Sequence, residues 1–497
     1  MAGWISLISG WLFTIGLVFA WPHVFANSPI PAERWLLDVM HVQDSLADGE
    51  SDAGRNHPAP ETGERLIFVG GSSTLFGIDG PTWEAITGRQ AINLGLHADL
   101  SSESMLRRAR RVFRPGDHVV LGFELSAYHR EAPTDFDQRQ SLVWRAAFYE
   151  DADPIGEFQN IWQTPLELML STGLSKLIRG SHPEDFRTSS EALDNWEASI
   201  FDRSERPPAP RVYSALWVDP YGTIYVPLAP TSSAVSLRNE PGRYGAHDGE
   251  LSGNFYRQIS NFTRYVRSRG GRVTMVPPPL MEFEPGQFDA RINGAESFDG
   301  LLERFNEVGV ETPCSTLDAI EPPEAFYNTI YHLNAWGAAR RALRLAACME
   351  IAQTELPDIQ NNNATWRFVL AARLERGETM PWEAPLYDLL IVAEALEAYH
   401  EEHGEYPQSL SWDGVGSRWG RSTENWVEGL APRFIPVLPR APTEVGYLYR
   451  SDGAEYKLIF HVGDELADVR AIAPEFVDPQ RDQIAVSVTS SPTTAQW

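Results

Sequence analysis

The sequence predicts an α/β protein: a parallel sheet covered by helices and interrupted by a long insertion, followed by a small α+β unit. Three observations predict it. Short β-type runs alternate with helical patterns between Arg65 and Gln353, the alternation lapses between 126 and 253, and a further helical pattern with two β-type runs follows. At 497 residues the chain is about three times the roughly 150 of a typical domain, so more than one folded unit is expected. Its 43% apolar and 22% charged residues are ordinary for a globular protein.

Residues 1–26 open the chain. No Asp, Glu, Lys or Arg precedes Glu33, and Gly3 to Trp21 is an apolar stretch long enough for one membrane-spanning helix. It reads as a signal-anchor because a basic leader is missing. A signal peptide cut after Val24-Phe25-Ala26 is the alternative. Either places the rest outside the cytoplasm, held at the cell membrane (periplasmic) or secreted. Residues 27–63, rich in Pro, Asp, Glu and Gly, read as a linker.

Residues 64–356 carry the α/β pattern. Strands are predicted at Arg65 to Val69, Gln90 to Leu94, His118 to Leu121 and Arg272 to Val276, and helices at Ser102 to Phe113, Asn254 to Arg269 and Ala335 to Gln353. The Trp- and Pro-rich insertion, residues 126–253, is too long for an ordinary loop and reads as a lid on the catalytic edge. A second linker is predicted at 357–380. The smaller unit, 381–473, combines a helical pattern from Pro385 to His403, stopped by Gly404, with β-type runs at Tyr447 to Tyr449 and Tyr456 to His461. Residues 474–497 read as a loosely ordered tail.

Two segments carry chemistry. In Leu66-Ile67-Phe68-Val69-Gly70-Gly71-Ser72-Ser73-Thr74 a strand runs straight into glycines and two serines, at the carboxyl edge where parallel sheets place their sites. The glycines admit a substrate to the backbone, whose N–H groups can face a developing oxyanion. Read alone, Gly-Ser-Ser is also an ordinary turn. The second segment is Asn328-Thr329-Ile330-Tyr331-His332-Leu333-Asn334, directly before the last helix of the pattern. A serine hydroxyl needs a base, and imidazole is the usual one. Read alone, a histidine there is more often a cap or core residue.

Taken together, these residues resemble the SGNH hydrolase superfamily, GDSL-like esterases and acyltransferases on a flavodoxin-like sheet. By that resemblance Gly71-Ser72-Ser73 stands where the family has Gly-Asp-Ser, which implies Ser73 as nucleophile. Ile92-Asn93-Leu94-Gly95 implies Gly95 as an oxyanion-hole donor beside the Ser73 N–H, with Asn93 near the substrate. Tyr331-His332-Leu333-Asn334 followed by Gly337 is similar to the form in exported, membrane-anchored members acting on cell-surface glycans, and implies His332 as base. Two positions depart from the pattern. Glu124 stands where the family offers an asparagine donor, so it contacts substrate, turns away or is protonated. Thr329 stands where the triad acid is usual, leaving Asn328 to orient the imidazole.

The smaller unit resembles the C-terminal domain of type II secretion major pseudopilins, through Ala395-Leu396-Glu397-Ala398-Tyr399, Gly404-Glu405-Tyr406-Pro407 and Tyr447-Leu448-Tyr449-Arg450. The family's leader and N-terminal helix are not present ahead of this unit, which implies docking to an envelope partner rather than polymerisation. Some relatives bind calcium; Asp452, Asp464 and Asp468 read as surface aspartates, and no metal or cofactor is expected.

Composition narrows the partners. With 68 acidic against 41 basic residues the formal net charge is -27, which excludes nucleic acid bound through phosphate neutralisation. Only Lys176 and Lys457 are lysines, so the cationic groups are almost all arginine. Trp144, Trp162, Trp196 and Trp217 suit core packing or sugar stacking. The pairs Asp151/Asp153 and Glu282/Glu284 lack histidine partners and read as solvated surface. Cys314 and Cys348 allow one disulfide or two reduced thiols. The expected function is an exported serine esterase or O-acyltransferase working through a Ser-His acyl-enzyme on acyl esters, acetyl being the expected group, of a cell-surface or extracellular glycan or of a small acylated molecule. The alternative is a non-catalytic envelope scaffold.

Overall fold

The computed structural model describes residues 34–49, 64–134, 136–138, 167, 194, 215–224, 251–282, 298–358, 361–375, 380–441 and 446–497. These residues divide into two compact units. The first takes those up to Gly80, from Arg89 to Val226 and from Pro241 to Ile320; the second takes Pro81–Gly88 and those from Glu321 onward.

The elements of the first part are α1 (Arg34–Asp48), β1 (Arg65–Gly70), α2 (Ser72–Leu75), α3 (Gly80–Thr87), β2 (Gln90–Asn93), α4 (Ser102–Val112), β3 (His118–Gly122), α5 (Leu125–Tyr128), α6 (Gly253–Arg267) and β4 (Arg272–Met275). The four strands are parallel in the order β2-β1-β3-β4. Ile92, Ile67, Val119 and Val273 form one row across the sheet. Burial explains why these runs became strands: all six residues of β1 and all five of β3 are buried, as expected where helices cover a parallel sheet. Helices α4 and α6 pack together. Each starts on a serine, Ser101 accepting the Ser104 N–H and Ser252 the Phe255 N–H, both at 3.2 Å. Phe255, Ile259, Phe262 and Val266 recur at helical spacing on the buried stripe of α6.

In the second unit are α7 (Ala335–Cys348), α8 (Asn362–Glu375), α9 (Glu383–His403), β5 (Ser409–Gly414), β6 (Leu448–Ser451), β7 (Tyr456–His461), α10 (Leu466–Ile472) and β8 (Ala485–Thr489). Its antiparallel sheet has the order β8-β7-β6-β5, with Tyr449 opposite Leu458 and Val486 opposite Phe460. Leu386, Leu389, Leu390, Val392, Ala393 and Leu396 of α9 are buried, and Gly404, at φ 77°, closes that helix in the left-handed conformation glycine favours.

Several expectations need correction. Residues 27–63 were expected to be a linker, yet Arg34–Asp48 is a helix of the first unit, with Leu36, Val39, Met40, Val42 and Leu46 buried. Arg108, 1% exposed, holds it by donating to Asp44 Oδ1 at 2.7 Å, Gln43 Oε1 at 2.9 Å and the Met40 carbonyl at 2.9 Å. The second expected linker, 357–380, contains α8, whose Trp366 stacks on Trp336 of α7 at 3.5 Å between ring centroids. Residues 474–497 are not a loose tail: they supply β8, because an edge of the antiparallel sheet offers β7 as a partner. Both cysteines are disulfide-bonded.

The expected membrane span, residues 1–26, lies outside the described residues, as do most of the insertion, Trp144, Trp162, Trp196, Asp151, Asp153 and Glu284. Among the described residues no helix is long and apolar enough to cross a membrane. Trp217 sits in a short 3-10 turn, Ala215–Trp217.

Candidate active site

Ser73 lies on the turn that follows β1, at the carboxyl edge of the parallel sheet. The local sequence dictates the tight geometry there. A side chain at Gly70 would meet the Gly122 carbonyl oxygen at 2.1 Å, and one at Gly71 would meet Glu124 Oε2 at 2.1 Å. Thr74 Oγ1 ties the turn to the end of β3, donating to the Gly122 carbonyl at 2.7 Å. The Ser73 hydroxyl makes a long contact, 3.4 Å, with the same carbonyl, and Ser73 itself is 1% exposed.

The two N–H groups expected to receive an oxyanion already have acceptors. Ser73 N–H donates to Glu124 Oε1 at 2.7 Å, and Gly95 N–H donates to Asn93 Oδ1 at 2.8 Å. Glu124 is 3% exposed, and Ser72 Oγ lies 3.4 Å from the same carboxyl oxygen. Burial raises the Glu124 carboxyl above the ordinary glutamate value, and the hydrogen bond from Ser73 N–H partly opposes that rise. Asn93, expected near the substrate, has no exposed surface, and its amide nitrogen donates to the Thr74 carbonyl at 2.9 Å and to Thr223 Oγ1 at 2.9 Å. It brackets the Ser73 turn from behind. Gly95 is obligatory in that bracket, since a Cβ would meet the Leu75 nitrogen at 2.3 Å.

In the second unit a compact turn presents His332. Phe326 and Leu333 form an antiparallel bridge, and Tyr327 N–H donates to the His332 carbonyl at 2.8 Å. Thr329 Oγ1 accepts the N–H groups of Tyr331 and His332 at 3.2 and 3.1 Å, so the residue standing in the usual acid position folds the turn instead. Asn334 then caps α7, its Oδ1 accepting the Gly337 N–H at 2.9 Å.

Asn328 Oδ1 lies 2.8 Å from His332 Nδ1. An amide oxygen can only accept, so Nδ1 carries the proton and Nε2 of the neutral ring does not. That is the tautomer a general base of this kind needs. The imidazole is 9% exposed.

Sequence reasoning singled out Ser73, Gly95, Asn93, Glu124, Asn328 and His332, and the structure pairs them as Ser73 with Glu124, Gly95 with Asn93, and Asn328 with His332. It missed Thr74, Thr223 and the role of Thr329. The only signal for them was a hydroxyl beside a glycine or a turn, which is too common to stand out. Glu282, the described member of its acidic pair, is half-buried. Asp452 caps a turn by accepting the N–H groups of Ala454 and Glu455, each at 2.9 Å. Among the described residues no group of His, Cys, Asp and Glu is arranged to hold a metal.

No family model, curated protein or solved structure matches the chain.

Proposed function

We propose that the chain is an exported serine esterase or O-acyltransferase of SGNH type, held at the cell membrane by its first 26 residues. It acts on acyl, most simply acetyl, esters of a glycan. In the proposed reaction Ser73 Oγ attacks the acyl carbonyl while His332 Nε2 takes its proton. The tetrahedral intermediate expels the alcohol oxygen, which receives that proton. Water or a second hydroxyl then attacks acyl-Ser73, again losing its proton to His332, and the second intermediate collapses by breaking the bond to Ser73 Oγ, which takes that proton back as the acid or new ester leaves. The observation that carries this is the 2.8 Å contact between Asn328 and His332, which fixes the basic tautomer where a carboxylate is missing. The strand order β2-β1-β3-β4 supports it as well, being the start of the flavodoxin-like order, with Ser73 after the inner strand β1. The smaller antiparallel sheet beside α9 is in keeping with a pseudopilin-like docking unit that meets an envelope partner.

A second reading has its own observation. Ser73 is nearly inaccessible, and both expected oxyanion donors bond to side chains of their own unit, as suits a non-catalytic scaffold. Catalysis requires Glu124 to release the Ser73 N–H. Incubating the folded protein with a fluorophosphonate probe separates the two. Stoichiometric labelling that disappears in Ser73→Ala, together with loss of acetyl-ester turnover in Ser73→Ala and His332→Ala, supports the enzyme. A folded protein that neither labels nor turns over ester supports the scaffold.

A further inference from the structure

The chain carries a formal charge of -27, yet one groove of about 510 Å3 is walled by arginines. It runs between α4 and α6 of the first unit. Arg107, Arg110 and Arg111 line it from α4 and Arg257 from α6, with Glu103 as the one acidic side chain. The local pairing leaves positive charge over. Arg107 is bonded to Glu103, and Arg111 lies 3.7 Å from Asp44, which already serves Arg108. Arg110 sits against the rings of Phe262 and Tyr265, 5.9 and 5.3 Å from their centroids, and its Nε is buried without a hydrogen-bond acceptor. Arg257 donates to the neutral Asn254, at 3.3 Å. Among the described residues neither Arg110 nor Arg257 has a carboxylate partner. Burial and the neighbouring arginines Arg107 and Arg269 lower the Arg110 guanidinium from its ordinary value, a cost that a bound anion would relieve.

The amides along α6 strengthen the pattern. Asn254 Oδ1 accepts from Arg257, Gln258 Oε1 from Ser102, and Asn261 Oδ1 from Arg264. Each amide oxygen thus already accepts from a protein donor, while its NH2 group has no protein partner among the described residues. Guanidinium and amide groups together make the wall almost wholly a surface of donors. A ligand that satisfies it must be rich in acceptors and negatively charged. The volume is that of a small-molecule site rather than of a single ion.

We infer that this groove binds a short oligoanion, bearing two or more carboxylate or phosphate groups, through Arg110 and Arg257. The inference is independent of the esterase reading, since none of these residues belongs to the Ser73 or His332 clusters. It is tested by calorimetric titration of the full chain at low salt with tetragalacturonate, tripolyphosphate and the neutral maltotetraose. At least one of the two anions binds and maltotetraose does not; which of the two binds more tightly tells whether carboxylate or phosphate is preferred. Replacing Arg110 and Arg257 together by Gln weakens binding at least tenfold. Arg433→Gln and Arg440→Gln together, which remove the same two charges from exposed ion pairs with Glu402 and Glu424 in the second unit, leave it unchanged. Raising the salt to 0.3 M weakens it, because exposed ion pairs are screened. Circular dichroism and the melting temperature of the double variant establish that it is folded. Binding by neither anion, equal binding of maltotetraose, or an affinity the folded double variant retains would overturn the inference.

Discussion

At Ser73 the N–H is held by Glu124 at 2.7 Å, and the hydroxyl makes a long contact, 3.4 Å, with the Gly122 carbonyl. An ionised Glu124 would place negative charge where an acyl oxyanion has to form. Because burial raises its folded-state pKa above the ordinary value, the folded protein binds that proton more tightly than the unfolded chain. The stability this contributes is fully present below about pH 4.5 and is lost as pH rises through the folded value. Glu124→Gln keeps an acceptor for the Ser73 N–H and removes the titration. Its urea midpoint is therefore expected to exceed that of the parent at pH 8 by more than at pH 5, and its rate of fluorophosphonate labelling to rise. A midpoint that falls at pH 8 would show that the bond to the ionised carboxylate outweighs its burial. At His332 the orienting group is neutral, so it fixes the ring without stabilising the imidazolium that the proposed reaction would form. Asn328→Ala is expected to lower kcat for acetyl-ester hydrolysis by about tenfold or more, and Asn328→Asp to raise it several-fold. Equal rates in the three proteins would remove Asn328 from the mechanism.

The elements that carry these residues rest on local signals of different strength. The turn bearing His332 leads directly into α7, and Asn334 both caps that helix and donates its own N–H to the Ala325 carbonyl at 2.8 Å. Asn334→Ala is expected to cost about 1 kcal/mol in urea denaturation, the usual size of a lost cap. Helix α1 was hidden from sequence reading by the acidic, proline-containing segment around it, although Leu36, Val39, Met40 and Leu46 repeat at helical spacing. Leu46, 3% exposed, distinguishes a packed helix from a linker. Leu46→Ala is expected to destabilise the first unit by about 2–5 kcal/mol, as for buried leucines elsewhere. An unaltered denaturation curve would put the helix outside the core. Strand β8 was invisible for another reason: Ala485 to Thr489 gains its hydrogen bonds from β7, and nothing within the five residues declares that partner.

Across the molecule, the surplus of carboxylates means that folding gathers like charge, and specific buried pairs offset it. Arg65 is 3% exposed and meets both oxygens of Asp117, at 2.9 and 2.7 Å, while Lys457 and Asp478 pair at 3.0 Å with no exposed surface. Buried pairs are screened little by salt, whereas surface repulsion is screened strongly. The melting temperature is accordingly expected to rise between 20 and 500 mM NaCl, as measured by calorimetry; a fall would mean that exposed ion pairs outweigh the repulsion. The sequence by itself determined the parallel-sheet strands, helices α4, α6, α7 and α9, and the two segments with chemical character, because continuous apolar runs, helical spacing and glycine punctuation are local properties. It determined the net charge too, and with it the expectation that nucleic acid is not a partner. Only the tertiary structure decided that Glu124 caps the Ser73 N–H, that Asn93 braces the turn, and that arginines from two helices 150 residues apart share one groove. Each of those depends on groups distant in the chain meeting within hydrogen-bond range, and only the packed sheet and helices fix such distances.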